Sequence, residues 1–463
     1  MSVHAIAGLV GLNLLLLAVG VSMVYALRGW ASWGELVRLL GVAYLLGVAT
    51  TGAVWIFELV VGISFGLATI IGTAAVLVSI ALFGGYRAGH RLPPRSARWE
   101  LPRLSLVGGV FTALVVIYLE GAFRSARLAG LYQFDAWAFW VPKAKAIYYF
   151  GGFDEQFFRE LINQAYPPLV PVQEAAAFHF MGAPDEVTLH LQFWFLLVGF
   201  ITAVLGLLSG RVSPLFVWPP LLLMLVAPYV GGHFDHPTAD FTLDELFAVA
   251  ALLIGLWLID RKDWQLFAAG VLLAGVMLTK REGYAFAASA IVAALVVTAR
   301  DRRAAWPKLI AVGVLAAVTT VPWRVLLAVR GLGGGGPEAG GLGLFSHLDR
   351  AWPSLRLALS TLFDYHLWLV VTPLAVVAIL AAFAAGARVL PLYTALVYVF
   401  AVVTFTYSTW AFPSLGISKK PALNPIVRLA GELVLLTPAL VPLLLASAWR
   451  RGEQKQGGVL GEP

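Results

Sequence analysis

Long runs of apolar side chains restrict this chain's fold more than any other feature. Most of these runs approach the twenty or so residues that an α-helix needs to cross a bilayer, and inside lipid the backbone must be satisfied within the helix. Thirteen runs cover 5–27, 37–60, 64–84, 104–122, 188–209, 214–230, 242–259, 265–279, 284–299, 309–329, 367–386, 389–408 and 430–448. The sequence therefore predicts an all-α, polytopic transmembrane bundle of about 13 spans, with short helices in extracytoplasmic loops.

Composition supports a chain solvated mainly by lipid. Only 12% of the 463 residues are charged, whereas soluble domains have about 25%. The 16 Trp fit helix ends at the two membrane interfaces. Because the net charge of +7 comes from short loops beside apolar runs, it indicates membrane orientation and no nucleic-acid partner. With no cysteine in the chain, disulfide and thiolate chemistry are excluded.

Basic residues predict the orientation of the chain. A cytoplasmic location suits three basic groups, which are Arg87, Arg91, Arg95, Arg98 and Arg103, then Arg300, Arg302, Arg303 and Lys308, then Arg450, Arg451 and Lys455. The N-terminus is then outside, the C-terminus is cytoplasmic, and the longest loops are nearly all external. We divide the chain into a three-span segment with a basic loop (1–103), a core (104–448) with external loops 123–187, 231–241, 330–366 and 409–429, and a tail (449–463).

The first polar motif occupies 134–153 in the first long external loop. Its residues of interest are Asp135, Trp137, Trp140 and Lys143. In a regular helix Asp135 and Lys143 would share a face. Pro142, however, biases Val141 toward an extended conformation, and a helix beginning at Pro142 would leave Asp135 on the preceding loop. The alternative to a functional site is an interfacial aromatic helix with snorkelling lysines.

The second motif, at 166–180, has three prolines followed by a short apolar helix. It carries Glu174 and His179 as possible polar contacts. The alternative is a loop that returns the chain to the membrane.

The third motif, at 231–247, leads into a span. It clusters His233, Asp235, His236, Asp240, Asp244 and Glu245. Carboxylates with imidazole suit Mg, Mn or Zn, so Asp235, His236 and Asp240 are candidate metal ligands. The spacing meets no strict metal signature, and acids also suit the first turn of a helix through its dipole.

Two further motifs place cations near the membrane. The turn 278–286 holds Lys280, Arg281 and Glu282, which suits either a phosphate or a simple Lys–Glu pair. The segment 416–432 holds Lys419, Lys420 and Arg428 on the outer side, against the positive-inside rule. An anionic lipid phosphate would explain these outer cations, and a solvated loop with a snorkelling arginine is the alternative.

At these motifs the chain resembles the GT-C superfamily of membrane glycosyltransferases, and is more closely similar to bacterial family 39-like enzymes. The matching pieces are FDAWAFWVPKAKAIY, YPPLVPVQEAAAF, TADFTLDELF, LTKREG and VRLAGELVLL. The resemblance implies a bacterial inner (plasma) membrane enzyme using a polyprenyl-phosphate-linked sugar. It matches Asp135 to a catalytic base, Asp240 to a second acid, and Arg428 to a late basic residue. Unlike the usual pattern, four spans precede the acidic loop, and its acid stands alone.

Chemistry and resemblance together predict an inverting transfer with one base. Phosphate is a good leaving group, so the second carboxylate of glycoside hydrolysis is not needed. We assign Asp135 as base, and we expect a divalent cation (Mg or Mn) as a possible cofactor. The candidate phosphate ligands are Lys280, Arg281, Arg428 and Lys143, and the candidate sugar or acceptor contacts are Trp137, Trp140, Glu174 and Glu282. The acceptor is a glycan, a lipid or a protein. The alternatives are a transporter or flippase, a scaffold protein, and a ligase using a lipid-diphosphate-linked glycan.

Overall fold

The computed structural model describes residues 2–94, 106–300, 303–332, 348–411 and 423–459, without the side chains of 233, 348, 408–411, 423–426, 429 and 452–459. Its regular elements are all helical. The α-helices are α1 (Val3–Leu27), α2 (Trp33–Val60), α3 (Leu67–Arg87), α4 (Leu106–Ala126), α5 (Val141–Phe150), α6 (Glu155–Glu160), α7 (Leu169–Met181), α8 (Glu186–Leu208), α9 (Pro214–Leu225), α10 (Pro228–His233), α11 (Ala239–Asp260), α12 (Asp263–Thr279), α13 (Glu282–Thr298), α14 (Trp306–Val318), α15 (Val321–Val329), α16 (Ala351–Leu362), α17 (Tyr365–Trp368), α18 (Val371–Ala384), α19 (Val389–Ala411) and α20 (Leu423–Val459).

The predicted all-α class is confirmed, and each of the thirteen predicted runs coincides with helix. Within the described ranges, 9 helical segments are long and apolar enough to cross a membrane, counting α14 and α15 as one. The four remaining runs correspond to the shorter apolar helices α9, α12, α13 and α18. The count of thirteen spans therefore stays a prediction. Several predicted features lie outside the described residues, namely Arg95, Arg98, Arg103, Arg302, Lys419, Lys420, residues 333–347 of the predicted loop 330–366, and residues 412–422 of the predicted loop 409–429.

The bundle has a buried centre and an apolar periphery. In α11 every side chain from Ala239 to Leu258 is buried, so this helix forms the middle of the core. In contrast, α3 exposes large apolar side chains such as Ile80 and Phe83. An apolar surface of this kind would be unfavourable in water, and it is compatible with a multi-pass membrane protein.

Contacts between loops define two ends of the bundle. At one end Arg28 stacks on Trp264, Arg211 pairs with Asp260, Lys308 pairs with Asp263, and Arg451 bonds the Gly386 carbonyl. This basic end joins the loops after α1, α8, α11, α13 and α18. The other end carries α5 to α7 and the beginning of α11, where most of the predicted site residues lie.

Candidate functional site

Arg428 of α20 brings together acids from two distant segments of the chain. Its Nη2 lies 2.6 Å from Asp240 Oδ2, its Nε lies 3.1 Å from the same oxygen, and its Nη1 pairs with Asp135 Oδ2. Lys280 Nζ lies 2.9 Å from Asp240 Oδ1 and 3.5 Å from Glu282 Oε1. Three acids thus surround two cations, which leaves the network with one formal negative charge in excess.

A π-helical turn places Asp135. The chain is helical from 134 to 150, and the Val141 N–H donates to the Ala136 carbonyl, five residues back. The extended conformation that we expected for Val141 is wrong, because its φ and ψ are −62° and −39°. Pro142 directly follows the π turn, so its missing N–H falls where the α-helical hydrogen-bond pattern is already interrupted. Asp135 therefore begins the helix instead of lying on a loop before it, and π turns are frequent at functional sites.

Two helix ends position the partners of Arg428. Asp240 is the second residue of α11, where the positive end of the helix dipole favours a carboxylate. Lys280 lies in the two-residue connection from α12 to α13. This connection is tight because a Cβ on Gly283 would lie 2.1 Å from the Val276 carbonyl oxygen, so only glycine fits. Burial opposes the charge of Lys280, but the Asp240 and Glu282 carboxylates outweigh it and raise the pKa of Lys280.

A small cleft of about 20 Å³ opens beside this network, with room for about one water-sized group. Its polar lining consists of Gln133, Tyr229, His236, Thr238, Asp240, Asp244 and Arg428. The walls therefore offer two carboxyl groups, a guanidinium and several other hydrogen-bonding groups. Such a set of groups suits a polar head group, and an anionic one would have to compete with the carboxylates for the guanidinium.

Several predicted contact residues lie away from the cleft. Trp140, Lys143 and Glu174 are buried, with exposures of 0%, 0% and 1%, and none of them lines the cleft, so their predicted contacts to sugar, acceptor or phosphate stay predictions. Lys143 instead donates to the Asn163 carbonyl at 2.8 Å. Burial and the nearby Arg281 lower the pKa of Lys143 to about 7.

Two further predicted contacts, Trp137 and Arg281, are at least partly exposed. Trp137 is 52% exposed and meets Phe134 edge to face, so its face is available to a ligand. Arg281 lies over the Tyr166 ring, 5.7 Å from its centroid, and follows Lys280 directly in the chain. Both residues lie on segments that carry the ion-pair network.

The predicted metal ligands are not brought together. His236 Nδ1 lies 3.7 Å from Asp235 Oδ1, and Tyr132 shares a 2.7 Å hydrogen bond with His236 Nε2. Both Asp240 oxygens instead bind side-chain cations. Among the residues that the structure describes, no three His, Cys, Asp or Glu side chains are grouped to hold a metal ion. Burial also raises the pKa of Asp235 to about 6.

Two buried acids also lie near the network, and neither was assigned a role from the sequence, although Asp244 belongs to the third motif. Asp244 and Glu432 are each 1% exposed, on α11 and α20. Each follows a network residue by four positions, Asp244 after Asp240 and Glu432 after Arg428. Because residues four apart share a helix face, this spacing was a usable signal. Tyr229 and Gln133 of the cleft carried no such signal, because their positions depend on how α10 and the segment before the π turn pack in the folded protein.

In comparisons with known proteins, the chain matches no family model, no curated protein and no solved structure.

Proposed function

We propose that this protein is a GT-C type membrane glycosyltransferase that moves a sugar from a polyprenyl-phosphate carrier to an acceptor hydroxyl. The observation that carries the proposal is the convergence of Asp135 and Asp240 on Arg428, beside Lys280 and an open cleft. Four separate segments of the sequence contribute these charged side chains, and holding charges near a bilayer carries a large free-energy penalty of desolvation. Charged residues kept despite this penalty indicate a function more than a contribution to stability.

The reaction needs one general base and positively charged side chains that bind the phosphate. Asp135 takes the proton of the acceptor hydroxyl while its oxygen attacks the anomeric carbon. The bond from that carbon to the phosphate oxygen breaks, the carrier phosphate keeps the electron pair, and the anomeric configuration inverts. Arg428 and Lys280 stabilise the developing phosphate charge, aided by Arg281. Because Arg428 contacts Asp135 and Asp240 in this structure, and Lys280 contacts Asp240 and Glu282, donor phosphate must compete with these carboxylates.

The arrangement of charges supports an extracytoplasmic site. Arg28, Arg211 and Lys308 mark the basic end, and the positive-inside rule assigns that end to the cytoplasm. The ion-pair network lies at the opposite end. In this orientation the N-terminus is outside, the C-terminus is inside, and the enzyme works on the outer face of a bacterial inner membrane.

A second candidate function is transport or flipping of a lipid-linked glycan. It is favoured by Asp244, Glu245 and Glu432, three buried acids on spanning helices. Ionisable residues within spans are characteristic of proton or substrate pathways. A flippase would move the carrier across the bilayer without breaking the sugar–phosphate bond.

The deciding experiment measures sugar transfer by purified protein in lipid nanodiscs. Radiolabelled polyprenyl-monophosphate and polyprenyl-diphosphate donors are supplied with crude envelope extract as acceptor source. Asp135→Asn is compared with Asp263→Asn, an exposed acid at the basic end. We expect transfer from monophosphate donors by wild type and Asp263→Asn, and loss of it in folded Asp135→Asn.

Other outcomes reassign the function. Equal turnover in Asp135→Asn would exclude this residue as the base. Transfer only from diphosphate donors would favour the ligase. The transporter gains support if donors move across proteoliposomes and no donor is cleaved.

A further inference from the structure

A second, small cavity lies inside the bundle, apart from the cleft at Arg428. It is enclosed by α2, α7, α8 and α11 and has room for about one water-sized species. Most of its wall is apolar. The polar side chains that line it are Gln173, Glu174, Gln192 and Thr242.

Four oxygen atoms around this cavity have no hydrogen-bond partner within the described part of the chain. They are Gln173 Oε1, both carboxyl oxygens of Glu174, and Thr242 Oγ1. The three residues are only 6%, 1% and 2% exposed. A buried polar atom without a partner is unfavourable, and a buried carboxylate without a counter-charge is more so. Their clustering on one cavity therefore points to a ligand that interacts with oxygen.

Hydrogen bonds fix the two amides that face the cavity. Gln173 Nε2 donates to the Val48 carbonyl at 3.0 Å and to Thr51 Oγ1 at 3.2 Å, so its Oε1 is left for the cavity. Gln192 Nε2 donates to Asn13 Oδ1 at 3.2 Å, and Gln192 Oε1 accepts from Asn13 Nδ2 at 2.9 Å. Both amides are thus held by α1 and α2, and their orientation follows from this network.

We propose that this cavity binds one dehydrated monovalent cation of the size of Na⁺. Hard oxygen atoms are the ligands that alkali and alkaline-earth cations take in proteins. An ionised Glu174 contributes one negative charge and the other ligands are neutral, so a single positive charge balances the site. Without an ion, burial raises the pKa of Glu174 well above its ordinary value, so the cation replaces a proton at this carboxyl group. The small volume favours Na⁺ over K⁺.

The bound cation would join α7 to the first turn of α11. Glu174 lies on α7, and Thr242 is two residues after Asp240 in α11. The cation therefore stabilises the helix end that presents Asp240 to Arg428. This proposal is independent of the reaction proposed above, because it rests on cavity lining and unpartnered oxygens only.

Direct binding of ²²Na⁺ to the full-length protein in nanodiscs tests the proposal. Wild type is compared with Glu174→Gln, which removes the charge, and Glu155→Gln, a matched change at an exposed acid. We expect saturable binding of about one ion per chain in wild type and Glu155→Gln, and none in Glu174→Gln. Unlabelled Na⁺ and Li⁺ should compete, whereas K⁺ and choline should not.

A third variant covers the case in which Glu174→Gln does not fold. Thr242→Val keeps the carboxylate and removes one ligand, so affinity should fall roughly tenfold. Absence of saturable binding in wild type, unchanged affinity in Thr242→Val, or full binding in folded Glu174→Gln would each overturn the proposal. Equal competition by K⁺ would overturn the assignment to Na⁺. Asp135→Asn should bind ²²Na⁺ normally, and its failure to do so would contradict a separate site.

Discussion

Replacing Arg428 with glutamine should lower the free energy of unfolding by about 2–3 kcal/mol. The change removes the charge that pairs with Asp135 and Asp240. Side-chain exposures are 20% for Arg428 and Asp135, and 9% for Asp240. Breaking a fully buried pair costs about 3–5 kcal/mol and an exposed pair is worth less than about 1 kcal/mol, so this largely buried network falls between. Lys280 still pairs with Asp240, which keeps the loss below the upper limit.

A double-mutant cycle with Asp240→Asn isolates the pair. Each variant is unfolded in mixed micelles of increasing SDS content and followed by tryptophan fluorescence. The double variant should be less destabilised than the sum of the single variants, by about 1–2 kcal/mol, because the neutral amide no longer needs the guanidinium. Sugar transfer should remain low in the double variant, since the phosphate still lacks Arg428. Arg124→Gln, at a side chain that is 74% exposed, is the control and should change stability by less than about 0.5 kcal/mol.

The reasoning fails if the two single changes add within about 0.5 kcal/mol, because residues in one network should not behave independently. It also fails if Arg428→Gln is as stable as wild type. Arg428→Lys gives a further check. A single ammonium cannot reproduce the fork that contacts both carboxylates, so this variant should recover only part of the stability.

Three further predictions concern other residues. The free energy of unfolding should rise with pH between about 7 and 10.5, because in this range Lys143 is protonated in the unfolded chain and neutral in the folded one. Lys143→Met should abolish this rise when unfolding is measured as a function of pH, and it should stabilise the protein most at or below about pH 7. Gly283→Ala should cost about 1–3 kcal/mol by forcing a Cβ against Val276, whereas Gly72→Ala, in open space, should not destabilise in the same assay. Transfer activity should persist in EDTA because Asp240 binds side-chain cations; loss of activity, restored by Mg²⁺ or Mn²⁺, would refute this.

The helices were largely predictable from local sequence. Burial of apolar side chains and satisfaction of backbone hydrogen bonds act over about twenty residues, so apolar runs indicated where helices occur. The same reasoning could not decide which helices are long enough to span. Pro219 and Pro220 lie inside α9, which is only 12 residues long, and Thr319 and Thr320 interrupt the predicted run at 309–329.

The candidate site depended on tertiary structure. Asp135 and Arg428 are 293 positions apart (428 − 135), and only packing of α20 beside the π turn brings them together. The sequence marked both residues as unusual, because charges near lipid are expensive. The sequence could not show which way the Lys143 side chain points. The π turn before it inserts an extra residue into the helix, and each residue of an α-helix rotates the side-chain direction by about 100°. Local periodicity thus determined which segments are helices, whereas the packing of loops and helix ends decided which charges meet.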